Sequence, residues 1–281
     1  MKSKKEKSNK EIFKKGSQTY YNSSIFFSKK IAKDVFKLYA FLRIVDDFVD
    51  LSPKQEDVFY KFKEKTYEAL EGKEIVCDYD TIINDFVELY NRKNFEKEWL
   101  DAFFNSMESD LNVVKMETLK ETEDYIYGSA EVVGLFMAKV LDLDNESYKY
   151  AKLLGKAMQY INFIRDFEED AKMNRTYLPL DEAQKFNLDN LSLANIKKNK
   201  EYFEMFIRKQ INHFYLWDRE AREGFKYIKK RNLIPIKTAQ DMYLWTAKQI
   251  YKDPFIIFRK KVKPSRLRIF FTILKNGVSN G

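Results

Sequence analysis

Cysteine, histidine, glycine and proline are all scarce in this chain of 281 residues, and each shortage removes a class of explanation. The single cysteine, Cys77, excludes a disulfide framework within the chain and suits a reducing, intracellular setting. The single histidine, His213, rules out most histidine-based metal sites, including di-iron bundles that need paired E-x-x-H motifs; it reads as a structural residue on a long helix. Eight glycines and five prolines fall well below the average use of about 7 % and 5 %. With so few helix breakers and turn formers, the chain reads as mostly helical. No run approaches the ~18 apolar residues of a membrane-spanning helix; the nearest, RIFFTIL at 268–274, is short and flanked by Lys and Arg. Residues 1–15 are lysine-rich but lack both the apolar core of a signal peptide and the arginines of a mitochondrial transit peptide. They are expected to form a flexible tail that can brush an anionic membrane.

What is abundant is aromatic and cationic. The 24 Phe and 18 Tyr exceed what an ordinary helical core needs and suit a deep apolar cavity, although an A+T-rich genome also inflates both. The net charge of +8 favours anions: nucleic acid, anionic lipid or a phosphorylated substrate. The lysines are interspersed with acids and no nucleic-acid recognition motif is present, so no nucleic-acid partner is expected.

Two stripes carry the chemistry. In QYINFIRDFEEDAKMNRTYLP (159–179), Gln159, Asn162, Asp166 and Asp170 fall at i, i+3, i+7 and i+11, one side of a helix. Around them sit Ile161, Phe163, Ile164 and Phe167, so apolar a setting that unpaired carboxylates there are costly. In YAFLRIVDDFVD (39–50), Tyr39, Arg43, Asp46 or Asp47, and Asp50 repeat the spacing in an equally apolar context. A lone stripe of this kind is more often an exposed acidic face. Two in matched contexts focus four carboxylates on one cavity, where a hard divalent cation shared with substrate phosphates would compensate them.

The remaining chain supplies walls. Pro53 closes the first aspartate helix and Ser52 caps a charged helix running to Gly72; residues 80–91 and 95–110 read as amphipathic helices. Within ETEDYIYGSAEVVGLFMAKVL (121–141), Gly128, Ser129, Ala130 and Gly134 form a small-residue patch that implies close packing or a bend. Asn145 is placed to cap the helix of the second stripe. A polar connection at 181–198, a long helix to about 231 and a helix over 236–252 follow. Pro254 and Pro264 then bracket the basic FIIFRKKVK. One helical domain, 16–281, accounts for the rest.

Taken in order, GSQTYYNSSIFF, LYAFLRIVDDFVD, YIYGSAEVVG, QYINFIRDFEEDAKMNRTYLP, the 236–252 helix and the basic tail resemble the squalene/phytoene synthase family, the head-to-head prenyl synthases. The second motif, R-D-x-x-E-D followed by R-x-Y-L-P, is the specific one. D-rich helices like the first also occur in head-to-tail prenyltransferases and terpene cyclases. GSAEVVG and TYYNSS are most similar to prokaryotic phytoene synthases.

The resemblance implies an all-α isoprenoid-synthase bundle around a central cavity. By similarity, Asp46, Asp50, Asp166 and Asp170, with Asn162, hold Mg²⁺ (Mn²⁺ as a substitute) against prenyl diphosphates. Gln159 lines the same cavity. Arg43, Arg165 and Arg175 pair with diphosphate oxygens, and Ser17 and Tyr20 match a diphosphate-contacting segment. Tyr39, Tyr125, Tyr177 and Tyr243 match aromatics near the reacting carbons. The basic run containing Arg259 matches a segment that closes over diphosphate. The implied reaction joins two geranylgeranyl diphosphates to phytoene without NADPH; the alternative is dehydrosqualene or squalene from farnesyl diphosphate, and a remote one is an inactive scaffold. The eight glycines show no G-x-G-x-x-G spacing, and the chain shows no C-terminal anchor of the eukaryotic squalene synthases. A cytoplasmic monomer or weak dimer, peripheral at the inner membrane face, is expected.

Overall fold

The computed structural model describes residues 9–16, 24, 26–51 and 53–279. Helices dominate: α1 (Asn9–Gly16), α2 (Lys29–Asp50), α3 (Glu56–Leu70), α4 (Asp80–Lys93) and α5 (Lys97–Ser109) come first. Next come β1 (Val114–Lys115), α6 (Leu119–Ile126), a π-helical turn (Tyr127–Glu131) and α7 (Val132–Val140). A 3₁₀ turn (Asn145–Ser147) leads into α8 (Tyr148–Arg165), α9 (Phe167–Lys172) and β2 (Arg175–Thr176). Two short helices, α10 (Leu180–Gln184) and α11 (Leu193–Lys198), precede α12 (Lys200–Ala221) and α13 (Lys230–Lys252). α14 (Arg266–Ser279) follows. The two-residue strands pair in parallel, Val114 with Arg175, and are the only strands among the described residues.

Local signals explain the boundaries. Ser28 caps α2, its side chain accepting from the Ile31 N–H. Thr118 and Glu121 form a reciprocal capping box on α6. Asn94 ends α4 in the left-handed conformation (φ 49°) that asparagine tolerates.

The fold is two apolar clusters with a cavity between. One joins α2–α5 and α7 around Phe41, Phe59, Phe86, Phe104 and Phe136, with Phe41 and Phe86 stacked at 3.7 Å. The other joins α8, α12 and α13 around Tyr160, Ile164, Phe203, Ile207 and Phe214. α8 is the shared partition, packed on α12 to one side and on α7 and the π turn to the other. No helix among the described residues is long and apolar enough to cross a membrane.

Several expectations change. Residues 9–16 are helical rather than a flexible tail, because Ile12 and Phe13 bury themselves, Phe13 against Phe36 and Tyr39. Ser52 lies outside the described residues, and α3 starts later, after Gln55. Asn145 does not cap α8; it opens the 3₁₀ turn before it. The second stripe is not on one continuous helix, since Asp166 (φ −96°, ψ 11°) separates α8 from α9. The long helix stops at Ala221, and α13 begins at Lys230, carrying Pro235 inside it. The 181–198 connection holds α10 and α11.

Candidate active site

The face of α2 bearing Tyr39, Arg43, Asp46 and Asp50 and the face of α8–α9 bearing Gln159, Asn162, Asp166 and Asp170 line one cavity of ≈ 580 Å³. Along α8 and the residues that cap its two ends the lining recurs at Ser147, Ala151, Gly155, Gln159, Asn162 and Asp166. At 1.5 Å per residue the wall from Ser147 to Asp166 is about 28 Å long. All the aspartates sit at its C-terminal end. The other end is apolar, with Leu141, Leu143, Leu154, Phe225 and Ile228.

Each carboxylate at the polar end has a different environment. Arg43 bonds Asp46 at 2.7 Å and Asp47 at 2.5 Å. Asp46, whose side chain opens to the cavity rather than to the core, has its pKa raised by burial and by the neighbouring Asp50, against the pull of Arg43. Asp50 pairs with Arg175 at 2.6 Å. Arg165 grips Asp166 from the adjacent position (Nε to Oδ1, 2.9 Å), and Lys261 approaches Asp166 at 3.4 Å while bonding Glu169. Burial alone would raise Asp166, but Arg165 and Lys261 hold it below the usual carboxylate range. Asp170 has no such partner. Burial and then repulsion by Asp166 push it up to about 8, with Arg175 opposing.

Behind these acids lies a polar knot. Asp110 is buried and accepts hydrogen bonds from Tyr125 (2.6 Å) and Tyr177 (2.7 Å). Arg175 donates to the carbonyls of Val49 (2.7 Å) and Asp110 (3.1 Å). The β1–β2 pair sets this register, holding Arg175 and Tyr177 beside the end of α5. Burial raises the pKa of Asp110 and lifts both tyrosines, so the phenols stay protonated donors. Tyr177 also stacks on Phe163 at 4.2 Å. Tyr39, packed edge-on against Phe13, is pushed up to about 12 by burial.

Two polar atoms at this end are buried with no hydrogen-bond partner, Asn162 Oδ1 and Arg175 Nε. One is an acceptor suited to a cation, the other a donor suited to an anion. They occur at the end of the cavity where burial and a neighbouring carboxylate raise Asp46 and Asp170, so the donor set fits a divalent cation bound together with an oxyanion. No three acidic side chains among the described residues converge on one ion. Substrate oxygens would complete the coordination, as they commonly do for Mg²⁺.

The cavity thus brings together Tyr39, Arg43, Asp46, Asp50, Tyr125, Gln159, Asn162, Arg165, Asp166, Asp170, Arg175, Tyr177 and Tyr243. Ser17 and Tyr20 lie outside the described residues. Arg259 is not brought in: it is exposed and pairs with Asp253, and Lys261, two residues on, turns toward Asp166 and Glu169 instead. Sequence reasoning missed Asp110, the residue that ends α5, and Phe13, whose only signal was an Ile-Phe pair amid lysines. In the small-residue patch, Ser129, Ala130 and Gly134 line the cavity, whereas Gly128 faces α5, where a Cβ would collide with the Ala102 carbonyl.

Fold and site define an all-α protein with aspartates and arginines gathered at one end of an apolar cavity. The squalene/phytoene synthase profile matches residues 13–268, and the chain belongs to that family of prenyltransferases. It is 27 % identical over 236 residues to a 15-cis-phytoene synthase of Enterobacter agglomerans, covering 81 % of this chain and 80 % of that one. It is 26 % identical over 228 residues to a 4,4'-diapophytoene synthase of Staphylococcus haemolyticus, covering 75 % and 79 %. A dehydrosqualene synthase structure superposes with TM-score 0.81 at 23 % identity, covering 96 % and 94 %, and shares the fold.

Proposed function

We propose that the chain condenses two molecules of geranylgeranyl diphosphate head to head, through a cyclopropylcarbinyl diphosphate, to phytoene. Diphosphate is released and no reductant is used. The observation that carries the reading is the gathering of two aspartate pairs and three arginines at one end of one apolar cavity. Ionising an allylic diphosphate needs its departing charge stabilised and its carbocation kept from water.

Asp46, Asp50, Asn162, Asp166 and Asp170 would hold Mg²⁺, which when bound would neutralise diphosphate charge and assist its departure. Arg43, Arg165 and Arg175, now occupied by aspartates, would turn to diphosphate oxygens, and the Nε of Arg175 has no hydrogen-bond partner to give up. Asp110 fixes the Tyr125 and Tyr177 hydroxyls away from the reacting carbons, leaving ring faces to meet positive charge. The Leu, Phe and Met walls offer no nucleophile.

Support for the C20 substrate comes from the wall at Ser129, Ala130 and Gly134, where small side chains leave room, and from the phytoene synthase relatives. The diapophytoene synthase relative favours the second reading, farnesyl diphosphate to a C30 product. Offering C15 and C20 diphosphates, each with and without NADPH, and identifying the hydrocarbon tests both. Phytoene from C20 without NADPH is expected. Turnover of C15 alone refutes the chain length, and no turnover of either refutes the reaction.

A further inference from the structure

The last helix, α14, carries a face the bundle does not use. Leu267, Phe270, Phe271, Leu274 and Val278 recur at i, i+3, i+4, i+7 and i+11, one continuous stripe, and are 48–84 % exposed. The opposite face is fastened down. Ile269 and Ile273 pack with Met242 and Phe26. Asn276 donates to Thr238 (3.2 Å) and Asp241 (3.0 Å) and accepts from Lys237 (2.6 Å). The stripe is therefore held outward by design of the inner face rather than left over by fraying. So large an apolar patch marks an interaction surface.

Charge decides what covers it. From Pro254 to the C-terminus the sequence holds seven lysines and arginines and not one aspartate or glutamate. A second copy meeting this face with its own would set like charges against each other. An anionic surface is complementary. The helix, 14 residues and about 21 Å long, is too short to span a bilayer but suited to lie along one.

We propose that α14 docks in the plane of an anionic phospholipid bilayer, its five apolar side chains at the headgroup–acyl boundary and the flanking cations against lipid phosphates. The face of α13 turned away from α14 lines the cavity through Pro235, Ile236, Ala239 and Tyr243. Docking thus places the membrane one helix away from the apolar chamber. The proposal stands on α14 alone and does not depend on which diphosphate the enzyme takes.

The test is co-flotation of the full chain with phosphatidylcholine vesicles, with and without phosphatidylglycerol. Binding is expected only with the anionic lipid and should fall as salt rises. Phe270→Ser with Phe271→Ser should weaken it roughly tenfold or more, the loss expected for two buried rings. Val76→Ser, at an exposed valine on the loop between α3 and α4, should leave it unchanged. Both variants should keep the wild-type melting temperature, since the replaced groups touch little protein. The proposal is overturned if the wild type ignores anionic vesicles or if the double variant binds as tightly. It is also overturned if the wild type is a dimer that the double variant turns into a monomer.

Discussion

Replacing Asp170 by asparagine is expected to stabilise the metal-free protein, and replacing Asp166 to destabilise it, although both remove activity. Asp170 is buried near Asp166 and titrates at about 8, against about 3.9 for an unperturbed aspartate. A carboxylate raised in the folded state opposes folding once the unfolded chain begins to ionise. The penalty starts near pH 4, grows as pH rises and levels off near pH 8. At neutral pH the unscreened ceiling is about 4 kcal/mol, from roughly three pH units at 1.36 kcal/mol each. Water in the cavity screens this, so relief of about 1–2 kcal/mol is expected, or about 2–6 °C for a chain of this size.

Asp166 is the opposite case. Held below the usual range by Arg165 and Lys261, it contributes stability above pH ~4 that is lost in acid. Asp166→Asn leaves the part-buried Arg165 guanidinium without its anion, at a cost of about 1–3 kcal/mol. The assay is thermal unfolding of both variants and wild type in EDTA across a pH series, beside turnover with Mg²⁺. The two shifts should have opposite signs, diverge above pH ~4 and converge in acid, with turnover down roughly 100-fold or more in each. Shifts of one sign, or a gap that ignores pH, would refute the division of roles between the two carboxylates.

Other outcomes follow from the same geometry. EDTA should abolish product formation and Mg²⁺ restore it; full turnover in metal-free buffer would remove the case for the aspartates as ligands. Ala130→Phe should depress C20 turnover more than C15, since an added ring in a tight apolar pocket costs about 1–3 kcal/mol; equal losses would mean the patch serves packing only. Gly134→Ala should lower the melting temperature by several degrees, because its Cβ meets the Ala151 carbonyl and α7 and α8 must part. Glu182 accepts from Gln210 (2.8 Å) and lies 3.0 Å from His213 Nε2. Burial would raise its pKa, but these bonds win and hold it at about 2. Its contribution is present above roughly pH 4.3 and lost as pH falls toward 2. Glu182→Gln should therefore lower the melting temperature at neutral pH and make little difference near pH 2.

The aspartate helices were legible because two signals coincided, a fixed turn-by-turn spacing and an apolar context that makes exposed acid implausible. Neither signal reports the break at Asp166, since no glycine or proline marks it. The basic run was legible as a cluster but not as a residue. Which cation turns inward depends on where a second 3₁₀ turn, Pro254–Phe258, ends, and that places Lys261 on Asp166 and Glu169 and sends Arg259 to Asp253. Asp110 carries no pattern at all. Its role arises when β1 pairs with β2 and brings Arg175 and Tyr177 to the end of α5, a contact between segments far apart in sequence. The stretch from Asn9 to Lys15 was misjudged because lysines outweigh two apolar residues in composition, whereas burial counts only the side chains that find a partner.

The small residues of YGSAEVVG admitted two meanings, close packing or room for substrate, and the structure makes them one. A Cβ on Gly134 would strike the Ala151 carbonyl, and one on Gly155 would strike that of Ala130, so the π turn and α7 lie backbone to backbone on α8. Between those contacts the same strip of Ser129, Ala130 and Gly134 forms the cavity wall. A wall of ordinary side chains would hold the helices apart and fill the space between the aspartates and the far end. Glycine costs a helix about 1 kcal/mol per residue relative to alanine. Here that cost is offset by close helix contact, which keeps the cavity open without loosening the bundle around it. The π turn, rare in helices and often found at functional sites, sits where the wall passes from Tyr125 at the polar end to Met137 in the apolar chamber.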